Sequence, residues 1–171
     1  MLALLRHRLR ARGRLVVEGR PHIARNVLFD LAPGAQVRLG DGSRLAAGCR
    51  LHVGPGAVVD VGPGARLGER CVLVARERID VGPRAVLGDE VVLVDFDHDI
   101  ADVERPVRRQ GLVTSPVRIG EDAHVDAAAG VLRGVTVGDR AHVGTRSVVT
   151  RDVAAGDDVA GVPARPLPAR R

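Results

Sequence analysis

The sequence predicts an all-β chain wound as a three-sided parallel coil, and three observations predict it. From Ile119 onward a branched aliphatic returns every six residues, at Val125, Val131, Val137, Val143 and Val149. Two positions before each of these five stand Ala123, Ala129, Val135, Ala141 and Ser147, all small. Only Phe29 and Phe96 are aromatic, with no Trp or Tyr, so the core must be aliphatic and narrow. A period of six fits neither the helical 3.6 nor simple strand alternation. It fits a triangular coil in which each side points one aliphatic inward and sets a small residue near a corner.

Residues 1–16 come first, with the alternating Leu and Arg of MLALLRHRLRARGRL. They are expected to form a short helical cap, because stacked coils need covered ends. The β-helix itself is expected over 17–154. Val17, Leu39, Val61 and Val81 head successive coils, each followed six residues later by Ile23, Leu45, Leu67 and Leu87, then by Phe29, Leu51, Leu73 and Leu93. The likeness of DVGPGARLGERCVLV to DVGPRAVLGDEVVLV fixes that register, and GPGA and GPRA mark corners. Parallel coils stack at about 4.8 Å, and each buries its aliphatics against its neighbours. Cys49 and Cys71 occupy equivalent small-residue positions and are expected to be buried, reduced thiols.

Between Val81 and Ile119 lies more chain than one coil needs, an excess of roughly 16 to 20 residues. The excursion is placed at about 95–117. It opens on LVDFDHDI, where Asp95, Asp97, His98 and Asp99 interrupt the aliphatic rhythm. Loops on a rigid scaffold are where function concentrates. A calcium-binding reading of the three acids fails at Ile100, where a glycine is needed, and at Pro106, where the bidentate Glu should stand. Residues 155–171 are expected as a C-terminal tail.

The formal net charge is +5, from 26 basic residues that are all Arg and 21 acids. No basic block or aromatic interleaving accompanies it, which argues against nucleic-acid binding. No segment has the apolar length of a signal peptide core or a membrane span. A cytoplasmic protein without an integral membrane segment is the expectation.

Four pieces in this order, DFDHDIADVERPVRRQG, IGEDAHVDAAAGVLRGVTVGDRAHVG, SVVTRDV and GVPAR, resemble the hexapeptide-repeat acyltransferases. That left-handed parallel β-helix family includes galactoside, maltose and chloramphenicol O-acetyltransferases. The resemblance runs over about 17–167. It implies the left hand of the coil, since crossovers are ordinarily right-handed, and a homotrimer with active sites between subunits. It also implies acetyl-CoA as acyl donor, no metal, and an acceptor hydroxyl on a sugar, glycan or small natural product. His98 falls where the family has its general base; an imidazole of pKa about 6.5 is mostly neutral at pH 7 and suited to take the hydroxyl proton. Asp95, Asp97 or Asp99 would orient the ring. Carried over residue by residue, Ala127, Thr145, Thr150, Arg151 and Arg165 would line the cofactor.

The chain departs from the family at four places. His124, Val125, Asp126 and Ala127 stand where many members have Trp followed by Ile-Gly; Arg146 replaces a glycine; Ala154-Ala155 replaces Pro-Pro; and Arg76 replaces an acceptor-binding Asp of the galactoside enzymes. Two further readings follow. His98, His124 and His142 are candidate ligands of a zinc hydratase similar to the γ-class carbonic anhydrases. Loss of the cofactor path would leave a non-catalytic trimeric scaffold.

Overall fold

The computed structural model describes residues 8–11 and 13–168. The chain winds into a parallel β-solenoid with three faces, here called A, B and C, of seven, six and eight strands. Each strand is short because six residues must include a corner. The predicted register is the observed one. On face B, Val17, Leu39, Val61, Val81, Ile119 and Val137 are successive neighbours. Face C aligns Ile23, Leu45, Leu67, Leu87, Val125, Val143 and Val159. Face A aligns Phe29, Leu51, Leu73, Leu93, Val131 and Val149. Apart from Val17 and Ile23 at the open N-terminal end, these side chains are buried and form one aliphatic core.

Small residues close the triangle. Ala65, Ala85, Ala123 and Ala141 are fully buried beside the corners, as are Cys49 and Cys71. Each thiol donates to the carbonyl of the next coil, Cys49 Sγ to Gly68 O and Cys71 Sγ to Gly88 O, both at 3.1 Å. The neighbouring Cys49 thiol, and then burial, push the Cys71 thiol well above the ordinary thiol range.

The N-terminal segment differs from the helical expectation. Arg8–Ala11 and Arg14–Val17 are strands, pairing in parallel with Leu28–Leu31 and Gln36–Leu39. Leu/Arg alternation has the period of a strand, and the next coil offers an unpaired backbone edge; local helix propensity loses to that pairing. Residues 1–7 of the expected cap lie outside the described residues. At the other end, Asp158–Gly161 joins face C and turns back antiparallel through Ala164–Pro166.

The excursion leaves after Val92–Val94 on face A and rejoins at Val117–Ile119 on face B. Its base is a two-stranded antiparallel arm, Phe96–His98 against Leu112–Thr114, outside the prism. The tip is ordered by Gln110, whose side-chain amide donates to the carbonyls of Asp102 and Arg105 at 2.7 Å each and whose Oε1 accepts from Asp102 N at 2.9 Å.

Candidate active site

The edge between faces A and B carries the loop root. Asp95 is fully buried there. Its Oδ1 accepts from the backbone N–H of Arg76 at 2.7 Å, and its Oδ2 from those of Glu77 and Arg78 at 2.8 and 2.7 Å. The carboxylate thus closes the corner of the preceding coil and anchors the arm. Asp97 Oδ1 accepts from His98 N at 2.8 Å, and Asp99 Oδ1 from Ala101 N at 3.0 Å. Each of the acids expected to orient the ring is therefore bonded to backbone, and His98, on the exposed arm opposite Leu112, has no side-chain hydrogen bond among the described residues.

Beside the arm lies a groove of about 520 Å³ lined by Val94, Phe96, Asp97, Leu132, Arg133 and Thr150. Thr150 and Arg151, both exposed, follow the face A strand Val148–Val149 and so belong to this same edge. Arg76 stands at the groove's rim with its guanidinium 5.4 Å from the centroid of Phe96. Sequence reasoning did not single out Leu132 or Arg133 for the site. The available signal was Phe96, an aromatic outside the hexad pattern in a chain with one other.

Ala127 and Thr145 stand elsewhere, stacked on the edge between faces C and A. Arg146 N donates to Ala127 O at 2.9 Å, locking the two corners together. Arg165 joins them from the terminal hairpin, where it pairs with Ala160; Ser147 Oγ fixes that hairpin by accepting from Gly161 N at 3.0 Å. The cofactor candidates thus divide into two sets at opposite sides of face A. A four-residue strand such as Val72–Ala75 separates them by about 13 Å.

Asp126, which the sequence places where a glycine would allow close approach, is turned into a charge cluster. Its oxygens lie 3.5 Å from His124 Nε2 and 3.1 Å from His142 Nε2, and Thr145 Oγ1 donates to Oδ2 at 3.4 Å. His142 Nδ1 in turn lies 3.4 Å from Asp158. The two imidazoles meet edge to face with centroids 5.7 Å apart. His98 is on the A/B edge and these two are on face C, so the three histidines of the hydratase reading do not converge within one chain; among the described residues no group of three metal-ligating side chains does.

Comparison with known proteins agrees with this architecture. The model "Hexapeptide repeat of succinyl-transferase" matches residues 116–151. A Mycobacterium tuberculosis protein named "Probable acetyltransferase Rv3034c" is 46% identical over 43 residues, which are 25% of this chain and 14% of that relative. The crystal structure of the polySia-specific acetyltransferase NeuO superposes with a TM-score of 0.75 at 20% identity, covering 91% of this chain and 76% of NeuO. AntD, an N-acyltransferase from Bacillus cereus solved with dTDP and coenzyme A, gives 0.70 at 18% identity, covering 92% and 84%. PerB from Caulobacter crescentus, solved with CoA and GDP-perosamine, gives 0.60 at 22%, covering 86% and 58%.

The fold is a three-faced parallel β-solenoid consistent with a left-handed β-helix, and its residues 116–151 match the hexapeptide-repeat model. Within that fold, the chain is similar to acetyl- and acyltransferases. Among the described residues, no helix is long and apolar enough to cross a membrane.

Proposed function

We propose that this protein is a CoA-dependent O-acyltransferase, using acetyl-CoA, that acts on a hydroxyl of a sugar, glycan or small natural product as a homotrimer. The observation that carries the reading is the position of His98: an exposed imidazole on the antiparallel arm, on the same strand as Phe96 and Asp97, which line a groove that also contains Thr150. The solved neighbours that hold CoA or acetyl-CoA support the donor, and the sugar-nucleotide and polySia chemistry of AntD, PerB and NeuO supports a carbohydrate acceptor.

The residues present fit such a donor. Ala127 leaves space on the C/A edge, and Asp126 turns away from it toward His124 and His142. Ala127, Thr145 and Arg165 would hold one stretch of the molecule and Thr150 and Arg151 another, with the guanidiniums matched to phosphate. When bound, acetyl-CoA would supply the thioester carbonyl to which the acceptor oxygen adds, the C–S bond then breaking and CoA leaving as the thiol with the proton taken from the acceptor. His98 takes the hydroxyl proton onto a neutral ring nitrogen, a task worth about 10² to 10⁴ in rate. Strand alternation sends Asp97 and His98 to opposite sides of the arm. The group that orients the imidazole therefore comes from outside that strand, and a second copy of the chain is the source we assign.

Two features favour that second copy. The two sets of cofactor candidates are separated by face A within one chain, and an edge from a neighbouring subunit brings them together. Face A is also apolar beside the excursion, where Val72, Val74, Val92, Val94 and Val148 point outward with Leu132 nearby; its earlier strands carry Asp30, Arg50 and His52, while Arg38, Asp60, Asp80 and Arg118 project from face B and Arg44, Arg66, His124 and His142 from face C. Such a surface beside a groove marks an interface.

The test is His98→Ala assayed for CoA release from acetyl-CoA over a panel of hydroxylated sugars. Turnover is expected to fall about 10²- to 10⁴-fold with the assembly and melting temperature kept. Unchanged turnover would remove His98 from the role of base.

A further inference from the structure

We propose that the acceptor carries an oxyanion, a carboxylate or a phosphate, and that Arg76 and Arg133 bind it at the loop root. The proposal rests on the acyltransferase reading and names the chemistry of the substrate for the same groove.

Arg76 is held in place from three directions. Its backbone N–H is fixed by Asp95 Oδ1 at 2.7 Å. Its side chain crosses directly over Gly54, where an added β-carbon would stand 3.0 Å from both Cδ and Nη1, so a larger residue at position 54 would displace it. Its guanidinium then reaches the ring of Phe96, 5.4 Å from the centroid. A guanidinium over a ring still presents the N–H groups on its edge, and these form the fork that matches a carboxylate or phosphate.

Charge balance points the same way. Arg70, Arg78 and Arg84 all have carboxylate partners. Among the described residues Arg76 and Arg133 have none, as is also true of Arg44, Arg50 and Arg66; what sets the two apart is that Arg133 lines the groove and Arg76 stacks on its Phe96 wall. The one acid in the lining, Asp97, accepts the His98 backbone N–H through Oδ1. Arg133 lines this partly apolar groove, and the Arg76 guanidinium stacks on Phe96, one of its walls, at the foot of the arm that carries His98. That arrangement selects an anionic group tethered to the hydroxyl that reacts, and a neutral sugar leaves both cations unmatched.

The experiment compares three probes on the purified protein, with CoA present for binding and acetyl-CoA for transfer: methyl glucuronide, its neutral counterpart methyl glucoside, and UDP-glucose. Binding is read by ligand-observed NMR and transfer by CoA release, for wild type, Arg76→Gln and Arg133→Gln, each verified by melting temperature. The wild type is expected to prefer at least one anionic probe over the glucoside by about tenfold or more, and each substitution to reduce that preference by about 10- to 100-fold. Preference for glucuronide identifies a carboxylate, and preference for UDP-glucose a phosphate. Equal binding of all three probes, or a preference that survives both substitutions, overturns the proposal. Arginine-dependent anion binding without any acyl transfer overturns the acyltransferase reading instead, while the binding assignment stands.

Discussion

Asp95 shows what one residue contributes and how its role differs from its appearance in the sequence. Asp95, Asp97 and Asp99 look alike as acids flanking a histidine, but Asp95 is buried against three backbone amides of the preceding coil. Sequence spacing reveals that a carboxylate is near; it does not reveal which N–H groups a corner leaves unpaired. Asp95→Ala should therefore lower stability by about 3 kcal/mol in chemical denaturation, since charge-assisted bonds are lost and buried donors left unsatisfied. The arm should also become more sensitive to proteolysis. A variant as stable as wild type would mean that water replaces the carboxylate. The converse case is Asp126, whose charge looked like an obstacle in the sequence and is matched by two histidines that lie one strand apart.

At the scale of elements, the coils were legible because a six-residue period leaves few alternatives. Leu73 lies between Leu51 and Leu93 with no exposed surface, as its place in the register requires. Leu73→Ala should cost about 2 to 5 kcal/mol, read from the shift in denaturation midpoint. The corners were less legible. Among the described residues, eight that are not glycine, including Arg70, Ala128 and Arg146, adopt left-handed φ of 54 to 61° where glycine is the easier choice. Hydrogen bonds between adjacent coils, such as Arg146 N to Ala127 O at 2.9 Å, hold that conformation against its local cost. The N-terminal strands escaped prediction because their partner is the next coil's edge, which a local pattern does not encode.

Face B carries an ionic ladder with a pH signature. Arg38, Asp60, Asp80 and Arg118 stand on successive strands, with Arg78 beside the two acids. Burial above all, and the Asp80 charge, raise the Asp60 carboxyl above the ordinary carboxylate range, against the pull of Arg38 and Arg78. Above pH about 4, and up to the raised value, the folded state then binds more protons at this site than the unfolded one. Stability from this group is accordingly lost as pH rises through the window. Asp60→Asn should make the slope of stability against pH less negative there; an unchanged slope would show that Asp60 titrates alike in both states.

For the whole molecule, the outward surfaces separate assembly from the rest. Face A is aliphatic near the excursion, and the excursion adds Ile100 and Val103, 69% and 89% exposed in the single chain. If the protein is the proposed trimer with CoA between its subunits, Val92→Glu together with Leu132→Asp should convert it to monomers in sedimentation and abolish CoA binding. A double variant that remains a trimer would place the interface elsewhere. The excursion was readable in the sequence as a break in rhythm, and Thr150 was named from the family resemblance. Leu132 and Arg133 were not, because they come from a later coil that only winding brings beside Phe96.

The central claim, that this solenoid holds acyl-CoA between subunits, is tested most directly by calorimetric titration of the purified protein with acetyl-CoA. Saturable binding near one molecule per subunit, weakened by Arg151→Ala and Arg165→Ala, is the predicted result. No heat of binding from a correctly assembled trimer would contradict the claim and leave a scaffold that keeps the fold without the chemistry.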